Sequence, residues 1–392
     1  MDERYEAAPE EIQEEIPIEE FTLEELAEEE IPEGLSPSEA PTEAAEPEPA
    51  PPEEPEPVWE EGWDEYTGKR QRLLTRKGRL RRPGWAAADT FEYNKESIRH
   101  PSRRKEWERY LLFNSRYAFQ VTYGNTAWAG MAEATLADFA TGERFSSGKR
   151  KLFPGDTLDL DFSGGQPHSL KYEDGDLFLS ISFDGEVRRI LVHSDRFDAD
   201  LSCHDAGDAM VTVTPFALRS QFCYRYKKVF RDLAGHLYMH NVNQRLDGEA
   251  FLLLDSVRGV LPYRNGWIWA AGARETDRGV LALNLGTGFG SEDAPSENAI
   301  FLDGKMQKLG RVFFKFSPED YMRPWRISDA AHRLHLTFRP AFEDRSDRNY
   351  LLVHDRRRQI FGKLSGTVRL QSGETIRLDE MPFFCEHAVN RS

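Results

Sequence analysis

The densest run of chemically capable side chains lies between Asp255 and Gly272, DSVRGVLPYRNGWIWAAG. It places an acid, two arginines, a proline-fixed turn, a tyrosine and two tryptophans within eighteen residues. Asp255 closes the apolar run Phe251-Leu252-Leu253-Leu254. An acid there is either at a strand end in solvent or buried and paired, and Arg258 and Arg264 are the partners nearest in sequence. Buried, it can donate or accept a proton with a perturbed pKa; paired, it can equally be a structural salt bridge. Trp267 and Trp269 stand two apart, so in a strand both face one side, with the small Ala271 continuing that face. Such a face suits a barrel interior holding an apolar or planar ligand, or an ordinary aromatic core.

Two further segments carry candidates. The strand-like stretch VLALNLGTGFG at 280–290 contains Asn284 and leads to Glu297-Asn298. Its glycines permit tight turning or close backbone approach, but they do not form the dinucleotide-binding spacing. Glu297 with Asp255 gives the two carboxylates that a glycoside hydrolase needs. Tyr321-Met322-Arg323-Pro324-Trp325-Arg326 is a second aromatic and basic cluster, in which Arg326 can stack or pair near Trp325. The catalytic candidates are therefore Asp255, Arg258 and Glu297. Tyr263, Arg264, Trp267, Trp269, Asn284, Trp325 and Arg326 are placed around a ligand. The histidines are scattered, and His204-Asp205 beside Cys203 has no third ligand at a sensible spacing, so no metal and no cofactor are expected. There is no nucleophile-elbow motif and no P-loop.

The elements around these residues read as antiparallel strands. Alternating or β-rich runs bounded by Gly, Asp or Asn turns recur from Tyr117 to the chain end, with hairpin turns at Asp184-Gly185 and Asp303-Gly304. The exceptions are an expected helix over 102–113, from Trp107, Tyr110 and Leu111 at helical spacing, and a helical turn at Ser317-Pro318-Glu319-Asp320. The fold class is all-β: two lipocalin-like antiparallel β-barrels or strongly curved sheets with a few short helices. The expected divisions are a disordered acidic tail over 1–60, a basic linker over 61–84, a first barrel over 85–245 and a second over 246–392. Both halves hold a tryptophan strand ending in Ala-Gly, AWAG at 127–130 and WIWAAG at 267–272.

Charge divides the same way. The net −17 comprises −22 from residues 1–60, with 23 acids and one arginine, and +5 from the rest. A tail of Glu, Pro and Ala cannot offset its ordering entropy by burial. It argues against nucleic-acid or anionic-membrane partners. The capping pair Thr22 and Glu25 allows a short helix to about Glu30, either a protein-partner segment within 1–57 or part of a solubilising tail. The stretch KRQRLLTRKGRLRR at 69–82 carries eight bases and is expected to dock on the body or pair with the tail. Three dispersed cysteines fit reduced, intracellular usage. With no signal-like N-terminus and no long apolar run, a soluble cytoplasmic protein without a transmembrane segment is expected.

From about Leu73 to Arg391 the chain resembles the domain-of-unknown-function 2804 family. The resemblance is carried by LLTRKGRL, PGWA, YNKESIRHPSRRKEWERY, Thr214-Pro215-Phe216, the 255–272 run, LNLGTGFG, SENAIFLDGK, EDYMRPWRI, FGKLSG and HAVNR. Ser256 departs from it, where a bulky aromatic is expected in many relatives. The family implies no established reaction. Its tryptophan strand after an acid-containing turn is similar to lipocalin-like tandem proteins that include carotenoid hydratases, tocopherol cyclases and a stress-survival protein. That implies two calycin-like barrels, an apolar pocket and a lipid or isoprenoid-like ligand, with acid-assisted hydration or cyclisation as the accompanying chemistry. The residues themselves leave two alternatives open: a carbohydrate-binding or carbohydrate-active protein using Asp255 and Glu297, and a non-enzymatic scaffold with an acidic partner-binding tail.

Overall fold

Period-two alternation becomes strand wherever one face is covered. In Leu177–Phe183 the residues Leu177, Leu179, Ile181 and Phe183 are buried, while Phe178, Ser180 and Ser182 are only partly so. Asp184-Gly185 turns that strand into Val187–Ser194, and Asp303 (φ 47°) with Gly304 (φ 77°) turns Ala299–Leu302 into Lys305–Lys308. Two consecutive positive φ angles match the twist of a two-residue hairpin, and Asp-Gly is the pair that tolerates them. The computed structural model describes residues 65–391 apart from 127–128, 153–157, 240–241, 247–249, 291–293 and 351–352. The acidic tail, the helix expected from Thr22 and the partner-binding segment 1–57 fall outside the described residues.

The described chain is all-β and its main sheets are antiparallel. An eight-stranded sheet runs in the order Gly84–Ala86, Met210–Pro215, Phe222–Phe230, Phe251–Val260, Arg104–Phe113, Tyr117–Thr126, Ala129–Asp138 and Arg144–Leu152. A six-stranded sheet, from Val242–Arg245 at one edge to His168–Asp174 at the other, faces it across a shared apolar core that includes Tyr110, Phe119, Leu254, Ile181 and Leu201. A nine-stranded sheet runs from Lys305–Lys308 through Gly279–Thr287, Arg264–Thr276, Thr375–Arg391, Val353–Arg369 and Leu334–Tyr350 to Val312–Lys315. It curls until Val312–Lys315 comes beside Gly279–Thr287, enclosing a second core around Trp325, Phe338, Leu283, Leu364 and Phe383. Register shifts at Pro340/Phe342 and Leu364/Gly366 bend its long strands. Among the described residues, no helix is long and apolar enough to cross a membrane.

Several expectations change. The segment read as a helix over 102–113 is the strand Arg104–Phe113, preceded by the 3-10 turn Pro101–Arg103. Nearly every residue of it is buried, because one face meets the inner core and the other meets the nine-stranded sheet. Two covered faces erase the alternation that identifies a strand, and aromatics then match helical spacing by coincidence. The helical turn expected at Ser317–Asp320 is a hydrogen-bonded turn, Asp320 donating to the Ser317 carbonyl. The divide expected at 245/246 falls elsewhere: Phe251–Val260 pairs with Phe222–Phe230 and with Arg104–Phe113, so the chain changes sheets at Leu261-Pro262-Tyr263. The basic segment, expected as a linker over 61–84 docking on the body or pairing with the tail, buries Leu73, Leu74 and Leu80 in the first core.

Trp325, expected near a ligand, is fully buried in the second core, stacked on Phe316 at 4.2 Å, with its Nε1 donating to the Tyr321 carbonyl. Trp325→Ala is expected to cost about 3–5 kcal/mol of stability, read as a lower urea midpoint at unchanged slope.

Candidate functional site

The site lies where the outer faces of the eight- and nine-stranded sheets meet, and strand alternation decides which side chains reach it. From the first sheet come Lys105, Trp107, Arg109, Leu111 and Phe113, with Arg225 and Lys227 from Phe222–Phe230 and Leu253 and Asp255 from Phe251–Val260. Facing them are Trp267, Trp269 and Ala271, Arg357, Gln359 and Phe361, and Phe384 and Glu386. Three layers result. At one end Leu111, Phe113, Leu253, Ala271, Phe361 and Phe384 form a dry apolar cluster.

The middle layer is a buried ionic belt. Arg109 donates from Nη2 to Asp255 Oδ2 at 2.9 Å and from Nη1 to Glu386 Oε2 at 2.5 Å, tying one acid from each sheet. Lys227 Nζ lies 2.6 Å from Asp255 Oδ1 and 3.4 Å from Glu297 Oε2, and Arg225 Nη1 lies 3.0 Å from the same Glu297 oxygen. Acid and base therefore alternate through Glu386, Arg109, Asp255, Lys227, Glu297 and Arg225, three of each sign. Hydrogen bonds from neutral donors complete it: Trp107 Nε1 donates to Asp255 at 3.3 Å, Trp267 Nε1 to Glu386 at 3.0 Å, and Gln359 Nε2 to Glu386 at 2.9 Å. Arg109 and Lys227 also lie over the Trp269 ring, at 4.6 and 4.0 Å from its centroid. Gly286 is what admits Glu297: a Cβ there would lie 2.2 Å from Glu297 Oε1.

Burial alone would raise the Asp255 carboxyl, but Lys227 and then Arg109 overcome it and hold it down at about 2. Burial likewise opposes ionisation of Glu386, and Arg109 followed by Arg357 keeps it below the usual carboxylate range. Both acids are therefore charged at neutral pH. They can orient and neutralise, but they carry no proton to give.

At the other end the layer opens into a cavity of about 340 Å³. Trp107 and Trp267 line it from opposite sheets, stacked at 6.4 Å between centroids and 19° apart, together with Met131, Leu152 and Leu261. The polar lining comprises Lys105, Arg109, Thr122, Thr126, Arg150, Asn265, Asp355, Arg357 and Asn390. Lys105 is 5% exposed, and burial first, then Arg103, lowers its ammonium to about 8.

The sequence candidates separate accordingly. Asp255, Glu297 and Trp269 belong to the belt, and Trp267 joins the belt to the cavity. Asn284 supports Trp269 from behind, accepting its Nε1–H at 2.8 Å and donating to the Glu297 carbonyl at 2.8 Å. Arg258 does not pair with Asp255. Three residues along the strand, it points to the inner face, where it meets Glu108 at 3.2 Å and donates to the Trp107 and Phe162 carbonyls. Ser256, the departure from the expected aromatic, donates to the same Glu108 at 3.2 Å. Arg264 and Arg326 are exposed and Tyr263 is 40% exposed, and none of the three lines the cavity. The tryptophan pair faces away from the second core, not into it: Trp267 and Trp269 pack between the sheets, while Ile268 and Ala270 face the core. Arg109, Lys227, Arg225, Glu386, Trp107 and Arg357 were not singled out from sequence. Their signal was charged residues at alternate positions within apolar strands, as in FCYRYKKVF.

The model of the family described as Domain of unknown function (DUF2804) matches residues 64–392. The chain belongs to this family. The DUF2804 match thus spans the belt, the cavity and both cores, and it leaves the acidic N-terminal segment outside. No curated protein matches the sequence. Among solved structures, a protein from Nitrosomonas europaea described as an AttH candidate is similar at a TM-score of 0.47 and 14% identity, covering 76% of this chain and 96% of its own. Kievitone hydratase from Nectria haematococca is similar at a TM-score of 0.42 and 9% identity, covering 73% and 89%. Likenesses this remote bring no activity and no ligand to the DUF2804 chain.

Asp255→Asn should cost about 3 kcal/mol or more at pH 7, because it leaves Lys227 and Arg109 under-compensated. A depressed carboxyl stabilises the fold above its unfolded pKa, and that contribution is lost as pH falls through the folded one. About 2 kcal/mol of the gap between wild type and variant should therefore close between roughly pH 4 and pH 2, measured from urea midpoints across that range. A gap independent of pH would count against an ionised Asp255.

Proposed function

We propose that this protein holds a small, largely apolar molecule in the cavity between its two outer sheet faces. The observation that carries the reading is the Trp107–Trp267 pair, two indoles from different sheets that line one 340 Å³ space with Met131, Leu152 and Leu261. The volume is at the lower end of ligand pockets, and most of the surface the wall exposes is apolar although nine of the lining residues are polar or charged. The indole N–H groups are already used, by Asp255 and Glu386, so the rings offer the ligand their carbon faces. A lipid fragment or isoprenoid-like compound fits this lining.

Acid-assisted hydration or cyclisation finds no donor in Asp255, whose proton is gone far below neutrality. If the ligand is transformed, Lys105 is the lining group that can pass a proton near pH 8. The carbohydrate reading has little support from the geometry, because Asp255 and Glu297 are both 2% exposed and share Lys227.

Neutral C8–C12 alcohols and geraniol are expected to bind one to one by isothermal titration calorimetry. Trp107→Ala and Trp267→Ala should each weaken that binding by about tenfold, from loss of buried ring area. Failure of every neutral compound to bind, together with native mass spectra free of co-purified adducts, would overturn the reading.

A further inference from the structure

Among the described residues, four cations, Lys105, Arg109, Arg150 and Arg357, line the cavity with one acid, Asp355. Two of these cations are committed elsewhere. Arg109 gives both of its Nη groups to Asp255 and Glu386 in the belt. Arg150 is held by Glu133 at 3.2 Å and Asp355 at 3.3 Å. Arg357 differs: among the described residues its guanidinium makes no hydrogen bond and no ion pair. It acts at a distance on Glu386, already gripped by Arg109 one layer deeper. The register sets Arg357 opposite Ala388, which in turn lies opposite Trp267, so the guanidinium and the indole sit on the same row of the sheet. Ala388 between them adds only a methyl group.

We infer that the molecule held in this cavity is an amphipathic carboxylate, its acid group on Arg357 and its apolar body against Trp107 and Trp267. This rests on the binding reading above and narrows its ligand class. Arg357 carries no hydrogen-bonded partner among the described residues, and a carboxylate can meet its guanidinium with two parallel charge-assisted hydrogen bonds. One uncommitted fork suits one carboxylate, and the 340 Å³ volume suits a medium chain better than a long one.

The test compares octanoate with octanol, equal in chain and different in charge, by calorimetry on the full-length protein. Wild type should bind octanoate at least about tenfold more tightly than octanol. Arg357→Gln should bring octanoate down to the level of octanol and leave octanol within about twofold, and Arg357→Lys should keep part of the preference. Arg326→Gln, an exposed cation outside the cavity, should change neither. Equal affinity of wild type for the two compounds would overturn the carboxylate inference and leave the binding reading standing. Binding of neither would overturn the binding reading itself. The wild-type comparison decides the matter even if an Arg357 variant does not fold.

Discussion

Arg109 holds one carboxylate from each of two sheets, and the rest of the interface is arranged around that bridge. Taking a carboxylate out of water costs several kcal/mol unless it is paired and hydrogen-bonded. Asp255 and Glu386 would each bear that cost if their sheets stood apart or slipped by a residue. A one-residue slip of Phe251–Val260 would turn Asp255 into the first core and bring Ser256 or Leu254 to the belt. The alternating acid and base chain therefore selects one register and one mutual placement of the sheets, with the apolar cluster on one side supplying most of the driving force. The cavity on the other side exists because the belt, with Trp107 and Trp267 anchored to two of its three carboxylates, stops apolar packing from running to the end.

Much of the β architecture was legible from sequence, because most strands cover a single face and alternate. Leu177–Phe183 and the Asp303-Gly304 hairpin are read directly from side-chain pattern and turn chemistry. Arg104–Phe113 was misread for the opposite reason: covered on both faces, it has no alternation to find. The candidate site was legible only in its local half. Asp255 read as either a strand end in solvent or a buried, paired acid, and partners for the second case were sought nearby in sequence, at Arg258 and Arg264. A strand sends residues three apart to opposite faces, so Arg258 could not serve, and the true partners, Arg109 and Lys227, come from neighbouring strands. Pairing of that kind is set by topology, which one sequence does not disclose.

The two tryptophans show how finely position divides roles within one motif. Trp267 and Trp269 share a face and lie two residues apart, but only Trp267 lines the cavity. Trp269, enclosed by Arg109, Lys227, Asn284 and Phe384, is a wall of the belt. Trp325, similar in sequence context, is core and nothing more. Aromatic richness pointed to the right neighbourhood, while function depends on which layer each ring occupies.

The order of strands in the eight-stranded sheet has a consequence for synthesis. Phe251–Val260 sits between Arg104–Phe113 and Phe222–Phe230, so both neighbours keep a long, bare, hydrogen-bonding edge until residue 260 has left the ribosome. Well over a hundred residues separate Arg104–Phe113 from the strand that seals it. Loop closure on that scale is slow, and bare edges of apolar strands are templates for aggregation. That edge of Arg104–Phe113 therefore stays unpaired until Phe251–Val260 is made, and a chain cut before Phe251 would keep it bare.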